Sequence, residues 1–142
     1  MQQSDYQTLQ FEYLDDQVLK ITIDHPSSDM NAVDGLLHDE FTRLFRDLKQ
    51  EDDARAVLLT GSGRAFSAGG DFSWFPTLQD AASLEHLRRD AKQLIWDMLD
   101  VDIPIVCALN GAAAGPCFNR TPDIRERNPA GSCFRLDGAG NL

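Results

Sequence analysis

The residues best placed to do chemistry lie in one stretch, Gly61-Ser62-Gly63-Arg64-Ala65-Phe66-Ser67-Ala68-Gly69-Gly70-Asp71. Ser67 to Gly70 carry almost no side-chain bulk, so a ligand can lie against bare backbone there. Backbone N–H groups presented in that way stabilise a developing oxyanion. Asp71, directly after the glycines, reads as a cap on the following turn ahead of a proton-transfer group. Ser67 sits in Ala65-Phe66-Ser67-Ala68-Gly69, close to the Gly-x-Ser-x-Gly elbow of serine hydrolases but with alanine first. That elbow follows its strand at once, whereas Gly61 to Phe66 intervene here, and the downstream histidine, His86, falls on an amphipathic helix. A serine hydrolase is therefore the weakest reading. His25, before Pro26, reads as a turn residue, because no partner carboxylate is identifiable for it.

The elements that position this stretch follow from periodicity. Leu9 to Tyr13 and Val18 to Ile23 predict two strands around a turn at Asp15-Asp16; Leu19, Ile21 and Ile23 alternate with Lys20 and Thr22. Asp24 to Asp29 is a Pro- and Ser-containing loop. Asp34 to about Lys49 predicts a helix, with Val33, Leu36, Leu37, Phe41, Leu44, Phe45 and Leu48 at helical spacing and Asp34 as cap. His38 and Glu40 are read as a solvated face. Ala56 to Thr60, a continuous apolar run, predicts a strand buried on both faces. Phe72 to Pro76 is expected to cover the core. Gln79 to Leu99 predicts a second amphipathic helix, striped by Leu84, Leu87, Ala91, Leu94, Ile95, Met98 and Leu99. Pro104 ends it, Ile105 to Leu109 forms another buried strand, and Asn110-Gly111 turns out of that strand. Strands alternating with helices make the chain α/β.

Composition narrows the function classes. The chain has 142 residues, enough for one domain with a core. A net charge of −10 argues against nucleic acid, which needs a basic face. An acidic chain can still hold an anionic ligand at a local basic site. Met1 to Asp5 has neither a basic flank nor an apolar run, so neither signal peptide nor membrane span is predicted. Cys107, Cys117 and Cys133 form no close ligand pair; they are expected to be free thiols in a cytoplasmic protein, with no metal.

Three motifs occur in order: Met30-Asn31-Ala32, the Gly-rich stretch ending in Ala65-Phe66-Ser67-Ala68-Gly69-Gly70-Asp71, and Asn110-Gly111-Ala112-Ala113-Ala114-Gly115. Together, with their spacing, they resemble the enoyl-CoA hydratase/isomerase (crotonase) family from about residue 8 to Gly115. The resemblance implies a crotonase-like fold of repeated strand–strand–helix units, of which 1–115 is the N-terminal part. It implies an acyl-CoA thioester as ligand, held by two backbone donors, with coenzyme A belonging to the substrate and no separate cofactor. It places the first donor on the N–H of Ala68, with Gly69 and Gly70 keeping the approach open. Met30, Asn31, Ala32, Asp71, Gly111 and Gly115 complete the expected substrate-binding set. Family members are usually homo-trimers or hexamers.

The resemblance breaks at Pro116. The family's second donor falls on that residue, and proline has no N–H. One catalytic glutamate of the family's hydratases falls on Asn119, and an amide is no general acid. Residues 116–142 hold four Arg, no Lys and three Pro, without helix or strand periodicity. They read as an irregular tail, of the composition that out-of-frame translation of a GC-rich gene would leave. Two function classes follow: a family enzyme that is poorly active as this chain, or a non-catalytic fragment that binds a partner chain of the same family.

Overall fold

The computed structural model describes residues 3–74, 76, 79–114 and 131–135. Strands β1 (Leu9–Leu14) and β2 (Val18–Ile23) form an antiparallel hairpin. Its turn places Asp16 and Gln17 at positive φ, 60° and 62°. Helix α1 (Gly35–Leu48) is capped by Asp34, whose carboxylate accepts from the Leu37 N–H at 2.9 Å. Next come β3 (Ala56–Gly61), the short β4 (Ala65–Ser67), α2 (Ala81–Leu99), β5 (Ile105–Leu109) and the short β6 (Ala112–Ala113). A last strand, β7 (Gly131–Arg135), adds to the main sheet, whose order is β1-β2-β3-β5-β7. All its pairs after the hairpin are parallel. Parallel strands need crossover connections, which α1 and α2 supply. No helix among the described residues is long and apolar enough to cross a membrane.

The core lies on one face of this sheet. Leu19, Ile21 and Ile23 of β2 and Val57 and Leu59 of β3 join Leu37, Leu44, Phe45 and Leu48 of α1 in one buried cluster, with Leu94 and Met98 of α2 packed against it. The expectation that β3 is buried on both faces is corrected: Ala56, Leu58 and Thr60 are only half-buried, because both helices cover the same side. Helix α2 departs from its expected stripe in the same way. Leu84, Ile95 and Leu99 are exposed, as is Trp96, since only the arc through Leu94 and Met98 reaches the core. Asp97 is buried instead, paired at 2.6 Å with Lys49, the residue that follows α1. Phe72, expected to cover the core, is 86% exposed. Trp74 stands beside His38, ring centroids 5.8 Å apart, and Phe75 lies outside the described residues.

Two further expectations fail on α1. Glu40 is buried, and the side chain of His38 is only 12% exposed. Positions 37, 40, 44 and 48 follow helical spacing, so Glu40 falls within the buried stripe. Its carboxylate accepts from the N–H of Gln7 at 2.8 Å and from the N–H and hydroxyl of Thr8 at 2.9 and 2.5 Å. It thereby fastens the segment leading into β1. Glu40→Ala leaves those donors without a partner and is expected to lose about 2–4 kcal/mol of stability, read by urea denaturation. A loss within the scatter of surface substitutions would show that Glu40 holds nothing.

Of the stretch read as irregular, Gly131–Arg135 pairs with Ile105–Leu109 as β7. The difference has a physical source: β5 would otherwise present unpaired backbone groups at the sheet edge. Five residues between glycine-containing segments carry too little periodicity to announce a strand. The remaining tail positions, Gly115 and Pro116 among them, and with them the reading of an out-of-frame tail, lie outside the described residues.

Candidate functional site

Three short segments build the site. Asp24 to Val33 follows β2, Gly61 to Asp71 follows β3, and Asn110 to Ala114 follows β5. All three therefore leave the same end of the parallel strands. Strands β4 and β6 pair in parallel, the Ala114 N–H donates to Ser67 O at 2.9 Å, and Val33 bridges to Gly70. The chemistry-bearing stretch thus runs between the other two.

Asn31 sews the first two segments together. It is fully buried and sits at φ 50°, a conformation asparagine tolerates better than most residues. Its side-chain oxygen accepts from the His25 N–H at 3.1 Å, and its amide donates to Ser62 O and Ala65 O at 3.2 and 3.0 Å. Its backbone oxygen accepts from the Ser67 hydroxyl at 2.8 Å. Asn110 does the matching work for the third segment: its oxygen accepts from the Gly61 N–H and its amide donates to Gly63 O, each at 3.1 Å. Gly111 packs so tightly that a Cβ would collide with the carbonyl of Arg64. That neighbour is backbone and cannot swing away. Gly111→Ala is therefore expected to cost about 3 kcal/mol or more, read as a fall in the urea midpoint; an unchanged midpoint would mean that the segments are free to separate.

The structure shows which backbone N–H groups of this stretch are bonded within the fold. The Ala68 N–H donates to Met30 O at 2.9 Å, so the expected first donor is already engaged. Gly70 is placed differently. In the bridge to Val33, the Val33 N–H donates to Gly69 O at 2.7 Å and the Asp71 N–H donates to Val33 O at 2.8 Å. A residue flanked in this way turns its own N–H away from the partner strand. The Gly70 N–H accordingly has no acceptor among the described residues. Gly69 makes the necessary kink. Its φ is 87°, and a Cβ there would lie 3.3 Å from Ala114 O. The signal was visible only as the glycine pair; the bridge that selects between neighbours is a tertiary contact.

The other expected residues fall into two groups. Met30 and Asn31 spend most of their backbone internally: Met30 O, Asn31 N–H and Asn31 O are all bonded within these segments. The Ala32 N–H donates to the Ser28 hydroxyl, while Ala32 O has no donor among the described residues. Asp71 caps its turn, accepting from the Ser73 N–H at 2.7 Å. The hydrogen bonds from Ser73 hold its carboxyl below the usual carboxylate range, so it is ionised at neutral pH and is no general acid. Ser67 is buried, its hydroxyl donating to Asn31 O and accepting from the Gly69 N–H at 3.2 Å. Its hydroxyl is thus committed to holding the segments together. His25, expected to lack a carboxylate, has one: its Nε2 lies 3.2 Å from Asp34 Oδ1. Beside it opens a pocket of about 380 Å³ lined by Asp24, His25, Ser28, Asp29, Ser62, Gly63 and Arg64. Among the described residues no His/Cys/Asp/Glu group has the makings of a metal site.

Comparison with known proteins gives the site its context. The profile described as enoyl-CoA hydratase/isomerase matches residues 14–121. A protein of Rhodobacter capsulatus named "Probable enoyl-CoA hydratase" is 35% identical over 115 residues, covering 80% of this chain and 42% of that protein. The crystal structure of an enoyl-CoA hydratase/isomerase from Mycobacterium paratuberculosis is similar with a TM-score of 0.67 at 37% identity, over 75% of this chain and 43% of its own. A beta-diketone hydrolase from Anabaena sp. PCC 7120 is similar with a TM-score of 0.70 at 29% identity, over 78% of this chain and 44% of its own. The chain therefore spans less than half the length of each of these relatives.

Proposed function

Because this chain belongs to the enoyl-CoA hydratase/isomerase family, we propose that the loop around Gly70 receives the thioester of an acyl-CoA. The fold is the α/β crotonase type, present in part. One observation carries the reading: a backbone N–H without an acceptor among the described residues, on a residue without a side chain, two positions past Ala68, where the family resemblance places the first donor to the thioester oxygen. A donor held rigidly by flanking bonds at Gly69 and Asp71 needs no reorganisation when negative charge develops on that oxygen. The open carbonyl of Ala32, on the neighbouring segment, accepts from an amide N–H of the ligand's pantetheine arm. Arg64, exposed on the rim of the adjoining pocket, faces the ligand's phosphates as a local cation in an acidic chain. Fatty acyl-CoA metabolism in the cytoplasm is the setting this implies. Catalysis is a separate matter, because Pro116 supplies no second N–H. The chain is read as a thioester binder and a poor catalyst.

Calorimetry with acetyl-CoA and with the thioether S-ethyl-CoA tests the donor without altering the protein. The thioester is expected to bind up to about tenfold tighter, the value of one hydrogen bond. Gly70→Pro, which removes the N–H, is expected to erase that difference while thermal melting checks that the fold survives. Equal affinity for the two ligands on the unaltered chain would overturn the assignment to Gly70. The serine-hydrolase reading has no support in the site, since the Ser67 hydroxyl is already committed.

A further inference from the structure

We propose that His25 is a positioning residue for the Met30–Val33 segment, and that one proton on its Nδ1 releases that segment. The imidazole is buried, its side chain 5% exposed. Nδ1 accepts from the Ser27 N–H at 3.1 Å, so it carries no proton, and the proton of the neutral ring sits on Nε2. That Nε2 lies 3.2 Å from Asp34 Oδ1, the oxygen that also caps α1.

The loop hangs from this ring. After the Ser27 turn, the Ser28 N–H donates to His25 O at 3.2 Å and the Asn31 N–H donates to Ser28 O at 3.0 Å. The Ala32 N–H then donates to the Ser28 hydroxyl, and Met30 O receives the Ala68 N–H. Asn31 returns to His25 through the bond from the His25 N–H to its side chain. Proton uptake at Nδ1 turns an acceptor into a donor facing another donor. The Ser27 bond must then break, and the turn that starts the chain of contacts opens.

Several charged groups surround the ring. Asp34 faces it from the start of α1, Asp71 reaches it electrostatically from beyond β4, and Asp24 and Asp29 belong to its own loop. Arg64, on the β3–β4 connection, is the opposing cation on the same pocket. Histidine changes charge between about pH 5 and 8. On this proposal the site segment is held while the ring is neutral and released once Nδ1 takes the proton. The consequence for ligand affinity rests on the acyl-CoA reading above; the release of the turn does not.

Nuclear magnetic resonance separates the two. Ring ¹⁵N shifts are expected to show the Nε2–H form at pH 8, and the Ser27 amide is expected to move with the same midpoint as the His25 ring. A Ser27 amide that stays still while His25 titrates, or a ring that never takes a proton down to pH 5, overturns the proposal. His25→Asn keeps an acceptor for the Ser27 N–H and cannot take a proton, so it is expected to hold the loop at every pH. Acetyl-CoA affinity of the unaltered chain is expected to fall about threefold to tenfold from pH 8 to pH 5.5, the worth of one hydrogen bond. In the variant it is expected to stay flat. The same fall in His25→Asn would assign the pH effect elsewhere. Absence of acetyl-CoA binding at all pH values would sink the ligand reading, and the Ser27 amide would then decide the switch alone.

Discussion

Asn31→Ala is expected to lower the free energy of unfolding by about 3–8 kcal/mol, from two sources. The first is hydrogen bonding. Removing the amide leaves the His25 N–H and Ala65 O without their partner in a buried place, and Ser62 O without its partner in a half-buried one. Each unsatisfied buried group costs about 1–3 kcal/mol. The second is backbone conformation, because alanine pays about 1–2 kcal/mol at the φ of 50° that asparagine adopts here. Against a typical total of about 5–15 kcal/mol, the variant is left close to unfolding. Urea denaturation monitored by near-ultraviolet circular dichroism reads the loss. Asn31→Asp is the informative companion. It keeps the oxygen that accepts from His25 but loses both donated bonds, and so should fall between alanine and the unaltered chain. A loss under about 1 kcal/mol for Asn31→Ala would mean that the segments are held by something other than this side chain.

A short enoyl-CoA offered to the purified chain is expected to be hydrated more slowly than about 1 s⁻¹, at or below the lower end of ordinary enzymes. The reasoning is chemical. Hydration builds negative charge on the thioester oxygen, and on the proposed reading Gly70 offers one N–H to it. The residue that the family resemblance assigns as the second donor is Pro116, which has none. Losing one donor of such a pair costs about 10²–10³ in rate. Proton transfer is a further loss. Asn119 stands where the resemblance implies a glutamate, and Asp71 is an ionised turn cap. These two losses act on different steps, so Pro116→Gly alone is expected to restore no substantial turnover. Thioester binding through Gly70 is expected to persist in both proteins. Release of product above 1 s⁻¹ by the unaltered chain would refute the account. Substantial turnover by Pro116→Gly would show that a proton-transfer group exists elsewhere.

Local patterns made much of this molecule legible. Alternation in Leu19, Ile21 and Ile23 identified β2, helical spacing and Asp34 identified α1, and the glycine pair marked where the backbone lies bare. Each of these is a property of a few neighbouring residues, and the chain carries it in its order of side chains. The burial of Glu40 was also present in the spacing of positions 37, 40, 44 and 48, but a carboxylate at such a position is buried only if donors wait for it. Those donors sit on Gln7 and Thr8, more than thirty positions away in the chain.

The choice between Ala68 and Gly70 shows the limit most clearly. In sequence the two N–H groups are near equivalents, flanking one glycine. In the folded chain one is spent on Met30 O and the other is turned outward by the bridge to Val33. The same holds for His25, whose carboxylate partner arrives from the first turn of α1. The sequence by itself therefore determined the elements, the order of the three site segments and the bare stretch of backbone between them. Only the tertiary structure decided which backbone donor is free, which histidine nitrogen is an acceptor and which polar side chains are buried. Hydrogen bonds are directional, and each group can satisfy only the partner that folding brings within about 3 Å.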